Sequence, residues 1–380
     1  MASIFRLDRR SGQTYFETEM TPIHPHGPAW VHETPYLPEG WESTSRVGAP
    51  TLKHSAMIQT LSNQRNLVPG LFVNVPWPIA SYLWDCLGRS RKRTLYMWKV
   101  FATAYPEEFA RVAHYRSMKI GGLRLSLRDY LGMAKSETLK WRAVLTLGSL
   151  FATIPELVEI SDVRNLVALE VATQTQVGAI RLADGPDADI EETQGTALND
   201  RIVRTWSERA RTTGALAHLR VLRVYYQADL SRAALRYLAQ LPALRFIVAY
   251  ECSGLLGCMR EGEVVDGWEK SSFEPFLSKD LYSSYQASLS GDVDSEPSTV
   301  GPNCPVLDFQ LGGRMDALPL TSARGRAKML CLRRTRAEAG PATKRLKVTR
   351  PVEAGPRKPV MKDRRAKDLS DVLGNFLGGM

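Results

Sequence analysis

The stretch HLRVLRVYYQADLSRAALRYLAQLPALRFIVAYEC, residues 218–252, decides how the fold is interpreted. It contains the pattern LxxLxV at residues 219–224 and LxxLxF at residues 241–246, whose last apolar residues are 22 positions apart. Similar apolar segments at residues 144–147 and 166–171 end 24 positions apart, and 53 positions separate the second segment from the third. Strand–helix repeats recur at about 20–29 residues, so the long interval corresponds to about two repeats.

Helix-like stretches precede these strand-like segments. Asn199 and Asp200 can cap a helix over residues 202–210, and Ser231 can cap one over residues 232–240. Helical spacing predicts that the inward side chains of the two helices are Ile202, Val203, Trp206, Leu235 and Leu238. Because one strand–helix unit cannot bury its apolar face alone, the pattern predicts stacked units that share a core.

Over residues 123–250 the chain resembles the ribonuclease-inhibitor-like leucine-rich repeat family. The resemblance implies an α/β fold: a short, irregular solenoid with a helical N-terminal cap. In that family an Asn, Cys or Thr lies three positions beyond each strand, whereas the four segments here have Gln174, Gln227, Leu150 and Ala249. The alternative is an irregular α/β domain in which the LxxLxV pattern recurs without forming a solenoid.

The strands of such a solenoid predict a binding surface. Residues that lie between the apolar positions point to the concave face. Arginine and tyrosine are common among the residues that contribute most to protein interfaces. We therefore predict that the partner-binding residues of the concave strands are Glu170, Arg223, Tyr225 and Arg245.

Two segments precede the repeats. Residues 1–60 are rich in proline and predict an extended arm, and residues 61–122 predict a helical cap. The cap positions with helical spacing are Ile79, Leu83, Leu87, Leu95, Trp98, Phe101 and Ala102. A second interpretation of residues 76–102 is a degenerate F-box, with a proline, an Ile–Tyr–Leu helix and a Leu–Trp–Phe helix.

The repeat domain is assigned to residues 123–285, and the Ser/Gly/Pro-rich residues 286–322 predict a linker. The next segment, residues 323–367, has sixteen Lys and Arg against three acids, while the rest of the chain has 34 basic and 37 acidic residues. The excess positive charge thus lies in a segment that predicts a disordered basic tail, able to contact nucleic acid non-specifically.

Within that tail the string PATKRLKVTRP, residues 341–351, resembles a classical monopartite nuclear import signal. Lys344, Arg345 and Lys347 match its basic positions and are expected to bind the acidic groove of a nuclear import receptor. The sequence therefore predicts localisation in the nucleus.

The last segment, residues 368–380, predicts an amphipathic helix. Its apolar residues fall at i, i+3, i+4, i+7 and i+8: Leu369, Val372, Leu373, Phe376 and Leu377. Such a helix either docks on the chain's own domain or enters the groove of a partner, and we favour the second interpretation.

No motif for catalysis is present. The chain lacks a GxxxxGK[ST] loop and a GxSxG turn, and its five cysteines show no CxxC spacing. We expect neither an enzyme, a cofactor, a metal site nor a membrane span. The sequence favours a nuclear protein-binding scaffold or adaptor, with an F-box-type substrate receptor of a ubiquitin ligase or a chromatin- or RNA-associated factor as alternatives.

Overall fold

The computed structural model describes residues 3–7, 14–18, 37, 51–120, 125–148, 152–173, 196–257, 259, 263–271, 280–290, 304–312 and 328–335. At the N-terminus, β1 (Ser3–Leu7) pairs antiparallel with β2 (Thr14–Thr18). A hairpin therefore replaces part of the extended arm that was predicted for residues 1–60. The same arm also ends earlier than predicted, because helix α1 (Leu52–Leu61) begins inside it.

The cap predicted for residues 61–122 is helical up to residue 113, but its last part is wrong, because Tyr115–Ile120 forms a strand of the main sheet. Short 3₁₀ turns (Gln64–Asn66 and Pro69–Phe72) follow α1, and the other helices are α2 (Trp77–Arg89), α3 (Leu95–Ala104) and α4 (Pro106–Ala113). Prolines occupy the first turns of α2 and α4, where a missing N–H costs no helical hydrogen bond. The predicted inward residues are buried, with one exception: Ile79 is 56% exposed, and Ala80 takes its place in the core.

A nine-stranded mixed sheet follows the cap and confirms the α/β class. Its spatial order is β3-β10-β4-β5-β6-β7-β11-β9-β8. The first six strands run parallel to one another, whereas the pairs β7–β11, β11–β9 and β9–β8 are antiparallel. The strands are β3 (Tyr115–Ile120), β4 (Arg142–Gly148), β5 (Leu166–Ala172), β6 (Val221–Tyr225), β7 (Phe246–Tyr250), β8 (Val264–Val265), β9 (Trp268–Lys270), β10 (Val306–Leu311) and β11 (Met329–Arg334).

The remaining helices are α5 (Leu127–Ala134), α6 (Ile154–Glu159), α7 (Asp200–Thr213), α8 (Arg232–Leu238), α9 (Ser253–Leu256) and α10 (Leu281–Ser290). The predicted caps are confirmed: Asn199 accepts from the amide of Ile202, and Ser231 from that of Ala233. Helices α6, α7 and α8 connect consecutive parallel strands and share the main hydrophobic core. Helix α10 packs on the opposite face, against β4, β5 and β6.

The position of the fourth repeat strand differs from the sequence alignment. Residues 241–245 form the turn before β7, so the residue equivalent to Leu222 is Ile247, its partner across the two strands. The two are 25 residues apart. The alignment placed the strand too early because Leu241 and Leu244 both have the spacing of strand positions, although both belong to the turn.

Two strands fall in segments that were predicted to lack structure. Strand β10 lies within the predicted linker and β11 within the predicted basic tail, and both boundaries are corrected accordingly. The strings VLDFQL and MLCLRR each carry alternating apolar side chains that enter the main core. Because β10 inserts between β3 and β4 and the other end of the sheet is antiparallel, the strands do not follow the simple sequential order of a solenoid.

Candidate functional site

The face of the sheet that was predicted to bind a partner contains a buried ion pair. Glu170 on β5 and Arg223 on β6 are register partners, and Arg223 Nη1 donates to Glu170 Oε2 at 3.2 Å. The side chain of Arg223 is 1% exposed and that of Glu170 is 14% exposed. A guanidinium this deeply buried needs a carboxylate and further hydrogen-bond acceptors. The element that covers β5 and β6 must therefore supply acceptors in addition to Glu170.

Helix α10 provides that cover. Arg223 Nη2 donates to the hydroxyl of Ser284, which is completely buried. One helical turn later, the guanidinium of Arg220 donates to the carbonyl of Ser288, at 2.7 Å from Nη2 and 3.2 Å from Nε. Arg220 Nε also lies 3.1 Å from the hydroxyl of Ser288. Two arginines of the sheet therefore bind two serines on one face of the helix.

The apolar contacts between α10 and the sheet are few. Leu281 is the fully buried apolar residue of α10, and Tyr282 and Tyr285 are partly buried beside it. They cover a floor of small side chains, namely Val144, Val167, Ala168, Val221 and Val306. The helix is thus held by a narrow apolar contact together with the arginine–serine hydrogen bonds.

An acidic group lies near the N-terminal end of α10. The Tyr115 hydroxyl donates to Asp308 Oδ2 at 2.7 Å, and the rings of Tyr115 and Tyr282 are 4.4 Å apart. Burial raises the pKa of Asp308, and the charge of Asp280 raises it further. Asp280 caps the helix by accepting from the amides of Tyr282 and Ser283.

The C-terminal end of α10 lies over positive charge. Arg220 binds the carbonyl of Ser288, and Arg142 is close enough for its charge to act on the hydroxyl of Tyr285. The N-terminus of a helix favours negative charge and its C-terminus favours positive charge. The sheet face, with Asp308 at one end and Arg220 at the other, is electrostatically complementary to the axis of the helix.

The predicted groove is therefore not open in the structure. Tyr225 is 2% exposed and packs beside Tyr250, with ring centroids 6.2 Å apart. Arg245 is half-buried. Its backbone amide donates to the carbonyl of Arg220, and its carbonyl accepts from the amide of Arg334, so it connects the starts of β6 and β7 with the end of β11. Of the predicted residues, Glu170 and Arg223 are in contact with each other beneath α10, and Tyr225 is buried in a separate cluster with Ala172 and Tyr250.

Gln227 forms a side-chain ladder in the turn after β6. Its Oε1 accepts from the amide of Leu198 at 2.6 Å, and its Nε2 donates to the carbonyl of Tyr225 and the hydroxyl of Thr173, each at 2.8 Å. Just before it, Tyr226 has φ 59°, in the left-handed region that residues with a side chain rarely adopt. The ladder therefore stabilises a strained turn.

Cys252 holds the equivalent position after β7. Its thiol lies 3.6 Å from the carbonyl of Val224 and 3.5 Å from that of Tyr250, and Glu251 before it has φ 50°. Burial raises the pKa of Cys252 to about 11, so the thiol is a structural group rather than a nucleophile. With the corrected strand position, the ladder residue of the fourth segment is Cys252 instead of Ala249.

The cap carries an exposed apolar surface that the sequence interpretation missed. We define the cap surface as Val68, Leu71, Val73 and Ile79, which are 47%, 58%, 79% and 56% exposed. Three of these residues lie in or beside the 3₁₀ turn Pro69–Phe72, where neither helical nor strand periodicity applies. Ile79 was assigned to the core because its spacing to Leu83 fits a helical stripe.

The other predicted sites lie outside the described residues. These are the import-signal residues Lys344, Arg345 and Lys347, and the C-terminal helix residues Leu369, Val372, Leu373, Phe376 and Leu377. All of them therefore remain predictions.

Within the described ranges, no group of three or more His, Cys, Asp and Glu side chains is arranged to hold a metal ion. In the same part of the chain, no helix is long and apolar enough to cross a membrane. No protein-family model, curated protein or solved structure matches the chain.

Proposed function

We propose that the chain is a nuclear protein-binding adaptor that contacts a partner through the cap surface. The observation that carries this proposal is the exposure of four aliphatic side chains, Val68, Leu71, Val73 and Ile79, within one short segment. Single exposed apolar residues are ordinary, whereas four within residues 68–79 support an interaction site in this part of the cap.

Hydrogen bonds hold the backbone behind the cap surface in place. The Tyr96 hydroxyl donates to the carbonyl of Leu67 at 2.7 Å, and the Tyr105 hydroxyl donates to that of Phe72 at 3.1 Å. The ring of Phe72 packs against Phe101 at 5.3 Å. A surface fixed in this way loses little conformational entropy when a partner binds, which favours affinity.

The leucine-rich-repeat interpretation is part of the same proposal. It is supported by strand positions Leu145, Leu169, Leu222 and Ile247, which are separated by 24, 53 and 25 residues. The ladder residues Gln227 and Cys252 support it as well, since both bond to backbone carbonyls inside equivalent turns. In this proposal the repeat-like sheet is the rigid scaffold that positions the cap.

The tail supplies the proposed location. The basic positions Lys344, Arg345 and Lys347 would bind an import receptor, and the C-terminal amphipathic helix would offer a second partner site. Basic residues elsewhere in the tail would add non-specific contacts to nucleic acid.

The test of the partner site is a quantitative affinity purification of the full chain and of the double variant Leu71→Asp/Val73→Asp. Val112→Asp is the matched control, because Val112 is 57% exposed and lies on α4. The proposal expects a defined partner to be lost by the double variant and retained by the control. Equal recovery from all three proteins would contradict it.

Import is tested separately by imaging a fluorescent fusion. Replacing Lys344, Arg345 and Lys347 together by Ala is expected to move the protein from the nucleus to the cytoplasm. The same substitution at Arg364, Arg365 and Lys367 serves as the charge-matched control. A fusion that stays nuclear after the first triple substitution would contradict the import assignment.

A second candidate function is favoured by the location of Ile79. This exposed residue lies in the segment 76–102 whose pattern is similar to an F-box, so the cap surface could join a ubiquitin-ligase complex. The affinity purification separates the two functions. Recovery of cullin-complex subunits that depends on Leu71 and Val73 supports the F-box-type receptor, whereas their absence beside another partner supports the adaptor.

A further inference from the structure

We propose that the guanidinium of Arg142 is the floor of a binding site for a small carboxylate. The rim of this site is formed by Tyr285, His218 and Cys304. Arg142 is the first residue of β4, and its backbone amide donates to the carbonyl of Pro305, just before β10, at 2.8 Å. None of these residues belongs to the cap surface, so the inference goes beyond the proposed function and does not depend on it.

Arg142 is a buried charge without an acidic partner among the residues that the structure describes. It is 5% exposed, and its Nε has no hydrogen-bond acceptor in those ranges. Arg223, the other arginine buried to this extent in the described chain, differs because its guanidinium lies 3.2 Å from Glu170. A guanidinium keeps its charge at any ordinary pH and is almost never fully buried unless it is paired. Arg142 therefore lacks the anion that a buried arginine requires.

The groups around Arg142 respond to its charge. Burial raises the pKa of Cys304 and that of Tyr285, and the charge of Arg142 opposes this rise in both. Burial lowers the pKa of His218, and repulsion by Arg142 lowers it further. Among the described residues, no carboxylate acts on His218 or on Cys304. The space beside Arg142 is therefore electropositive and attracts an anion.

The rim gives access to Arg142 from the surface. Tyr285 on α10, His218 before β6 and Cys304 before β10 are each half-buried. The Cys304 thiol is held in place, because it donates to the carbonyl of Lys140 at 3.0 Å. Since the three rim residues come from three separate segments, a small ligand can pass between them without unfolding the sheet.

The charge and the donors of the site favour a monocarboxylate. A guanidinium can donate two parallel hydrogen bonds to the two oxygens of a carboxylate. The raised pKa of Tyr285 keeps its hydroxyl protonated, so this hydroxyl is a further donor. The lowered pKa of His218 leaves its ring neutral at physiological pH, so one negative charge on the ligand matches the one charge of Arg142. A phosphate dianion would bring a second charge that His218 does not balance.

The binding test is a titration of the full chain with sodium propionate, followed by NMR of its histidine rings at constant ionic strength. His218→Gln identifies the signal of His218. Propionate should raise the pKa of His218, because a bound anion cancels the repulsion by Arg142. Propionamide, the neutral analogue, should leave that pKa unchanged. Inorganic phosphate should bind at least about tenfold more weakly than propionate.

Substitutions of Arg142 test the floor of the site. Arg142→Gln should weaken propionate binding at least about tenfold, whereas Arg201→Gln, at an exposed position of α7, should leave it unchanged. Without ligand, Arg142→Met should not lower the melting temperature, because it removes a buried charge that no acid balances. Propionate should raise the melting temperature of the wild type and of Arg201→Gln but not that of Arg142→Met.

The proposal is overturned if propionate and propionamide have the same effect on His218, or if Arg142→Gln binds propionate as tightly as the wild type does. Equal binding of phosphate would overturn the assignment to a carboxylate. A large loss of stability in ligand-free Arg142→Met, or its failure to fold, would also overturn the proposal, because Arg142 would then be paired with an acid of the chain itself. The titration of the wild type needs no substitution at Arg142 and decides independently whether propionate binds.

Discussion

Arg223 and Glu170 face each other across neighbouring parallel strands, with their charged atoms 3.2 Å apart beneath a helix. Removing one charge of a buried pair leaves the other uncompensated, which costs more than the pair itself contributes. Arg223→Met should therefore lower the free energy of unfolding by about 3 kcal/mol, measured by urea denaturation.

The matched control for that prediction is the double variant Arg223→Met/Glu170→Gln. It removes both charges and should recover much of the lost stability, since no carboxylate remains without a partner. If the effects of the two single substitutions simply add, the two residues do not act as a pair.

Asp308 predicts a dependence of stability on pH. Burial raises its pKa in the folded protein above the value in the unfolded chain, so the folded state binds a proton more tightly. Its contribution to stability is therefore full below the ordinary pKa of an aspartate and is lost as the pH rises through the raised, folded-state pKa. Asp308→Asn should remove this loss.

The measurement for Asp308 is urea denaturation of the wild type and of Asp308→Asn at a series of pH values. The series starts at about 3.5, which is below the ordinary pKa of an aspartate, and rises from there. The difference in unfolding free energy between the two proteins should shift in favour of the variant as the pH rises, and then become constant. A difference that does not change with pH would show that Asp308 has the same pKa in both states.

Two glycines in helices should respond in opposite directions to substitution by alanine. A Cβ on Gly254 would lie 2.3 Å from the backbone carbonyl oxygen of Leu230, whereas nothing lies within 4 Å of a Cβ on Gly132. Gly254→Ala should cost about 1–3 kcal/mol through the clash. Gly132→Ala should stabilise the protein by up to about 1 kcal/mol, because alanine favours the helix.

Thermal denaturation of the two alanine variants checks this pair. The melting temperature should fall for Gly254→Ala and rise for Gly132→Ala. A similar change in both would mean that the close approach of α9 to Leu230 does not limit stability.

Gln227 should contribute strongly to the fold although it has no chemical role. Its side chain satisfies the buried amide of Leu198 and also bonds to Tyr225 and Thr173. Gln227→Ala leaves that amide without its acceptor and should cost about 1–3 kcal/mol in urea denaturation. Gln240→Ala, in the turn after α8, is the control and should have a much smaller effect. Equal effects of the two substitutions would remove the argument for a ladder.

The sequence predicted the α/β class, three of the four repeat strands, the caps at Asn199 and Ser231 and the start of α2. These features depend on local spacing and on side chains that cap their own helix, so a local pattern is sufficient. The fourth strand was misplaced because Leu241 and Leu244, in a turn, have the same spacing as strand residues.

The parts that could not be predicted depend on contacts between distant segments. Strand β10 joins the sheet next to β4, more than 150 residues earlier in the chain. The cover over Arg223 is likewise formed by Ser284, 61 residues later. The alternation around Glu170 and Arg223 places both residues on one face of the sheet, but nothing in its spacing indicates that α10 lies on that face.

The most direct test of the account is quantitative affinity purification of the full chain beside Leu71→Asp/Val73→Asp and the control Val112→Asp. The central claim is that the cap surface binds a protein partner. The predicted result is one defined partner that the wild type and the control recover and the double variant loses. Equal recovery of every protein by all three would contradict the claim.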